Sequence, residues 1–221
     1  MDTLLPTIEL TTGPQPQASV IWLHGMGADG NDFVPVIKEL NLPASKPIRF
    51  IFPHAPMRPI SINGGYVMRA WYDLGLSAGQ LTSKEEDVRA SQQSLEMLIE
   101  QEINRGIPAE KIILAGFSQG GVIALQTGLR YPKRLGGILA LSTYLALHES
   151  LPAEGQDANK NIPIYMAHGL QDPIVPLVMA IYSRNELQRL GYQVEWHEYH
   201  MQHSLCAEEI ESISGWFQSV L

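Results

Sequence analysis

The sequence predicts an α/β fold, a mostly parallel central sheet with helices on both faces. Three observations carry that reading. Apolar runs of strand length alternate with longer segments of helical spacing along the 221 residues. The runs are apolar almost throughout, as in strands buried on both faces. Each unusual loop, rich in glycine or histidine, follows a strand, which gathers the loops on the edge where open α/β sheets bind ligands.

Along the chain, Ala18 to Leu23 (ASVIWL) reads as a buried strand ending at His24-Gly25. Residues 31 to 40 are expected to be helical, with Pro35 in the first turn, where proline is tolerated. Ile48 to Phe52 is a second strand. The stretch from Pro53 to Gln80 is punctuated by proline and glycine and reads as one long irregular loop, a length that is usually functional inside a compact domain. Ser83-Lys84-Glu85-Glu86 has the form of a capping box, and Val88, Leu95, Leu98, Ile99 and Ile103 continue at helical spacing. A strand over 111–115 and a helix over 118–130 follow, then strands over 137–141 and 162–167, a helix over 176–190, a strand over 194–199 and a final helix over 205–221. No internal repeat divides the chain, so residues 1–221 are expected to form a single domain, with the loop at about 53–80 as an insertion near the site.

Composition excludes several classes. Apolar residues make up 45% and charged residues 17%, and the formal net charge is −8. The fifteen basic residues are scattered, so no nucleic-acid surface is expected. No apolar run reaches the length of a membrane span, and the N-terminal MDTLLPTIELTTG has no basic n-region, so neither stable membrane insertion nor a signal peptide is expected. The single cysteine, Cys206, leaves no internal disulfide and suits a reducing, cytoplasmic setting.

The chemistry centres on Gly116-Phe117-Ser118-Gln119-Gly120. The bare Gly-x-Ser-x-Gly pattern is weak, but here a strand precedes it and a helix follows, which is the setting of a nucleophile elbow. In such an elbow the glycines remove side chains that would collide, and the helix start aims N–H groups at negative charge developing near the serine. The competing reading is a glycine turn in which Ser118 merely caps a helix.

A serine hydroxyl needs a base, and elbows of this kind carry their partners in the order nucleophile, acid, histidine. Asp172 stands just beyond a strand and is the acid candidate. Asp157 lies in a polar loop, and Glu208 and Glu209 come after the histidines. His200 and His203 share the loop between the last strand and the last helix, and sequence order leaves both open as the base. The spacing of His197, His200 and His203 matches no known ligand set, so no metal and no cofactor is expected. Acyl transfer also needs donors for the developing oxyanion. Gln119 N–H, following the nucleophile, and Met26 N–H, in the loop Leu23-His24-Gly25-Met26-Gly27-Ala28-Asp29-Gly30, are the candidates.

The stretches LHGMGADG (23–30), FPHAP (52–56), AWYD (70–73), GFSQGG (116–121), HGLQDPIVP (168–176) and YHMQHS (199–204) resemble, in order and spacing, the carboxylesterase/acyl-protein thioesterase family of α/β-hydrolases. The resemblance implies Ser118 as nucleophile, Asp172 as acid and His203, the histidine followed by serine, as base, with the Met26 and Gln119 N–H groups as oxyanion donors. It implies an acyl ester or thioester substrate, with acylated proteins or lysophospholipids as the classes concerned. Where family members often carry Leu-Ser-Cys/Gly-Trp/Tyr-Leu-Pro, this chain has Leu141-Ser142-Thr143-Tyr144-Leu145-Ala146. Met57, Ile62, Trp71, Leu74 and Leu76 of the long loop, together with Leu145 and Leu177, are expected to line an acyl groove. Exposed apolar residues beside that groove would also support a homodimer. Competing readings are a lactonase or peptidase on the same scaffold and a non-catalytic small-molecule receptor.

Overall fold

The computed structural model describes residues 4–77 and 80–221. Residues 1–3 of the N-terminal stretch, and 78 and 79 of the long loop, lie outside the described residues. In chain order the elements are β1 (Thr7–Thr11), β2 (Ala18–Leu23), α1 (Val36–Glu39), β3 (Ile48–Pro53), β4 (Met57–Ile60), β5 (Tyr66–Arg69), β6 (Leu74–Ser77), β7 (Gln80–Ser83), α2 (Glu85–Asn104), β8 (Ile112–Phe117), α3 (Gln119–Arg130), β9 (Gly137–Leu141), α4 (Leu151–Glu154), β10 (Ile164–Gly169), α5 (Leu177–Arg189), β11 (Val194–Tyr199) and α6 (Ala207–Val220).

A seven-stranded sheet runs in the order β1-β3-β2-β8-β9-β10-β11. All its pairings are parallel except that of the edge strand β1 with β3. Alternation along β2 shows how both faces are covered. Ile21 and Leu23 join Leu114, Ile138 and Met166 in a core closed by α2 and α3, through residues such as Leu95, Ile99, Val122 and Leu125. Val20 and Trp22 point the other way, into a core of Phe50, Phe52, Leu139 and Tyr165 closed by Ile213, Trp216 and Phe217 of α6. The expected architecture is the observed one.

Four local readings are corrected. The helix expected over 31–40 is confined to Val36–Glu39, because Asp29 Oδ1 accepts from Asn31 N at 2.7 Å and Nδ2 at 3.0 Å and holds the preceding chain in a turn. The loop from Pro53 to Gln80 is not irregular. It contains an antiparallel hairpin of β4 and β5, and β6 of a second hairpin completed by β7. Gly64 and Gly65, at φ of 64° and 82°, supply the left-handed turn of the first. Ser83 does not cap α2. Lys84 is the N-cap, and the Ser83 hydroxyl bonds Tyr144 Oη instead. Strand β1, absent from the sequence reading, was marked by the alternation of TIELT.

Candidate active site

The candidate reactive residues come from loops at the carboxyl ends of β2, β8, β10 and β11. Ser118 sits between β8 and α3 with φ 54° and ψ −121°, a conformation L residues rarely adopt. Its side chain makes no cap hydrogen bond, so the capping alternative does not describe it. The flanking glycines are required by contact. A Cβ on Gly116 would lie 2.2 Å from the Gly120 carbonyl, and one on Gly120 would lie 2.3 Å from the Leu23 oxygen. Ser118 N donates to Leu141 O at 2.9 Å, and Thr143 Oγ1 donates to Ser118 O at 2.7 Å.

Asp172 is buried at the end of β10. Its Oδ1 accepts the N–H groups of Ile174 at 2.8 Å and Val175 at 2.9 Å. Its Oδ2 lies 2.6 Å from His203 Nδ1, so Nδ1 donates to the carboxylate and Nε2 is the ring nitrogen left for a further partner. His203 also packs on Phe117, the residue before Ser118, with ring centroids 4.6 Å apart. The structure therefore joins Asp172 to His203 by a hydrogen bond and brings the imidazole to the elbow through Phe117. Among the described residues the Ser118 hydroxyl makes no hydrogen bond, and such contacts commonly tighten only with substrate bound. His200 is exposed, and His197 pairs with Glu195 and stacks on Tyr165.

A second histidine faces the same carboxylate. His168 Nε2 donates to Val175 O at 2.8 Å and stands 3.4 Å from Asp172 Oδ2. Burial keeps its pKa below the usual histidine value, so it is neutral.

The loop after β2 is pinned from several sides. His24 Nδ1 donates to Gly25 O at 2.7 Å while its Nε2 accepts from Ala55 N at 3.1 Å. Gly27 N donates to Arg69 O at 2.9 Å. Trp71 Nε1 donates to His24 O at 2.8 Å. The Gln119 side chain accepts from Trp71 N and donates to Tyr72 O, each at 3.0 Å. Met26 itself is half-buried in the middle of this loop.

The residues proposed for an acyl groove do not share one surface. Trp71 is fully buried, tied to His24, and Leu74 packs against the core. Ile62 sits half-buried in the turn of the first hairpin. Met57 and Leu76 are exposed. Leu145 does line an apolar pocket of about 500 Å³, with Leu81, Tyr144, Leu147, Val178 and Tyr182 among its walls, and Leu177 lies next to it at the start of α5. Tyr144 Oη, within that pocket's wall, bonds both Tyr72 Oη and Ser83 Oγ at 2.9 Å. An open depression of about 680 Å³ adjoins Gly27 and Ala28 of the loop after β2 and has a mixed lining, with Asp29, Asp32 and Arg69 beside Met57, Val67 and Met68.

Residues 7–221 match the family described as phospholipase/carboxylesterase. The chain belongs to that family. Among its relatives, acyl-protein thioesterase 1 of Gibberella zeae is 38% identical over 216 residues, covering 94% of this chain and 92% of the relative. Acyl-protein thioesterase 1 of Debaryomyces hansenii is 34% identical, covering 100% of this chain and 99% of the relative. Among solved structures, Arabidopsis thaliana SOBER1 superposes with a TM-score of 0.85 at 30% identity, covering 91% of this chain and 98% of that one. Membership of the phospholipase/carboxylesterase family makes the protein an α/β-hydrolase enzyme. Among the described residues no helix is long and apolar enough to cross a membrane.

The sequence reading assigned no pocket role to Leu81, Tyr144, Leu147, Val178 and Tyr182, and it set His168 aside because it precedes Asp172 in the chain. The helical spacing of Val178 and Tyr182 on α5 was a signal for a shared face. Nothing local showed that 81–83 would meet it.

Proposed function

We propose that the protein hydrolyses carboxylic esters and acyl thioesters through an acyl-enzyme on Ser118. The observation that carries this is the Asp172–His203 hydrogen bond of 2.6 Å, placed beside a serine held in an elbow conformation. Ser118 Oγ attacks the acyl carbonyl while His203 Nε2 takes its proton. Asp172 holds the Nδ1 proton and stabilises the imidazolium. The carbonyl oxygen becomes an oxyanion that the Met26 and Gln119 N–H groups receive. On collapse the alkoxide or thiolate leaves with the proton from Nε2, and water repeats the sequence in reverse order to free the acid. Every proton is returned, so the cycle needs no cofactor.

The acyl chain is assigned to the pocket of Leu145, Tyr144 and Val178. That pocket begins one residue beyond Thr143, whose hydroxyl touches the Ser118 carbonyl. Each buried methylene contributes about 0.8 kcal/mol, enough to favour medium or long chains. That relatives bear the name acyl-protein thioesterase 1 supports thioester-linked acyl groups on proteins as the substrates of this chain.

The test is hydrolysis of p-nitrophenyl esters from acetate to palmitate, with a fluorophosphonate as active-site label. Labelling confined to Ser118, loss of turnover in Ser118→Ala, and rates that rise with chain length are expected. Full activity in Ser118→Ala would overturn the reading.

A further inference from the structure

A trans peptide carries its C=O and N–H on opposite sides, so whatever grips the oxygen sets where the hydrogen points. The described chain contains no cis peptide. The two N–H groups assigned to the oxyanion belong to the peptides Gly25–Met26 and Ser118–Gln119. In both, the carbonyl of that same peptide is held from behind by a buried, neutral side-chain donor. His24 Nδ1 donates to Gly25 O at 2.7 Å, and Thr143 Oγ1 donates to Ser118 O at 2.7 Å. We propose that His24 and Thr143 are paired positioning residues, one behind each arm of the oxyanion hole.

His24 is suited to this by its surroundings. Its Nε2 accepts from Ala55 N at 3.1 Å, so the ring is fixed as the tautomer with its proton on Nδ1. The ring is 1% exposed and packs on Trp71, whose indole N–H holds the His24 carbonyl. Burial lowers its pKa, which keeps it neutral. Thr143 is equally enclosed, at 1% exposure, and its methyl and hydroxyl pack so closely on the start of α3 that a Cβ on Gly121 would lie 2.7 Å from it.

Two effects follow. Each carbonyl also accepts one backbone N–H, Gly25 O from Ala28 at 3.3 Å and Ser118 O from Val122 at 3.2 Å, and the side-chain donor is a second restraint that aims the N–H of the peptide before charge develops. Each carbonyl is also polarised by the bond it accepts, which makes the N–H of the same amide a stronger donor, since hydrogen bonds in a chain reinforce one another. Neither side chain touches the reacting atoms. Both act through a backbone group, and that separates their effect on turnover from any effect on substrate binding.

This rests on the proposed hydrolysis at Ser118, and the experiment distinguishes the two. Wild type, Ser118→Ala, Thr143→Val, Thr143→Ser, His24→Leu and His24→Asn are compared on one p-nitrophenyl ester. A trifluoromethyl ketone, which forms an oxyanion adduct on the serine, serves as the probe. Thr143→Val keeps the shape and removes the donor. A fall in kcat of roughly tenfold is expected, smaller than the 10²–10³ lost with a whole oxyanion donor. KM should stay unchanged, and the ketone should weaken by the same factor as kcat. Thr143→Ser restores both, and His24→Asn, which keeps an N–H near the Nδ1 position, retains more than His24→Leu. Thermal melting of each variant separates misfolding from misalignment. Unchanged kcat in folded Thr143→Val, or no rescue by Thr143→Ser, overturns the pairing while Ser118-dependent turnover leaves the hydrolase standing. Absence of Ser118-dependent turnover overturns both.

Discussion

Asp172 and His203 stand 31 residues apart in sequence and 2.6 Å apart in space, and the carboxylate is anchored on its other oxygen by two backbone N–H groups. The acid thus aims the imidazole from a fixed base rather than from a swinging side chain. Asp172→Asn keeps the size and removes the acceptor that selects the Nδ1 tautomer. Its kcat is expected to fall by about 10³–10⁴, with KM little changed and the melting temperature close to that of wild type. A loss below tenfold in steady-state kinetics would refute the assigned acid.

The elbow glycines should separate contact cost from backbone cost. Gly120→Ala drives a Cβ to 2.3 Å from Leu23 O and 2.7 Å from His24 O, both backbone atoms at the end of a central strand. It is expected to lose more than about 2 kcal/mol of stability and most activity. Gly64→Ala meets nothing within 4 Å but sits at φ 64°. Its cost should stay near 1 kcal/mol, with turnover intact. Denaturant titration and an ester assay on the pair decide the matter.

Glu209 predicts an alkaline weakness. It is fully buried in the first turn of α6, and neither carboxyl oxygen has a hydrogen-bond partner among the described residues. Burial pushes its pKa up to about 8. A raised folded-state pKa means that the native protein holds a proton the unfolded chain has lost. Stability from this group is therefore full below about pH 4.5 and declines until the pH passes about 8. Glu209→Gln should flatten that decline, gaining most above pH 7. Melting curves from pH 5 to 9 that run parallel in the two proteins would contradict this.

The pocket assigned to the acyl chain makes a substrate-selective prediction. Val178 is 69% exposed at its mouth on α5, so Val178→Trp can narrow the pocket without crowding the core. The ratio of kcat/KM for octanoate to that for acetate should drop at least about tenfold, the equivalent of two methylenes. An unchanged ratio would place the chain elsewhere.

The parts of this site that sequence made legible are those whose chemistry and geometry are both local. Gly116, Ser118 and Gly120 specify their own turn, and the HGMG run specifies a close backbone approach. Asp172 was placed because it follows a strand, and strand ends share one edge; the same argument left His200 and His203 open, and only the family resemblance singled out His203. The pocket was illegible because three segments, 81–83, 144–148 and 178–183, meet only after the sheet has formed. Trp71 misled for a physical reason. A large apolar residue in a loop reads as groove lining, but its indole N–H required a buried acceptor and found one in His24 O. Ser83 misled in the same way, since its hydroxyl had a tertiary partner in Tyr144 as well as a local one.

Among the described residues the two hairpins of 57–83 pair only with themselves and share no ladder with the seven-stranded sheet. They are tied to the scaffold at the span Ala70 to Asp73 between them, where Trp71 and Tyr72 are clasped by His24 and Gln119, and at points on each hairpin: Arg69 O accepts from Gly27 N at 2.9 Å, Arg58 pairs with Asp87 at 2.7 Å and Ser83 Oγ bonds Tyr144 Oη at 2.9 Å. Such an arrangement behaves as a cassette. Either hairpin can lengthen, shorten or be exchanged with that of a cousin while strand register, elbow and histidine loop stay as they are, provided the contacts of Arg58, Arg69 and Ser83 are kept. Swapping β4–β5 or β6–β7 on either side of an untouched Trp71-Tyr72 is the natural cut for transplanting substrate preference, and lineages that diverge in what they hydrolyse have the same joints available to them.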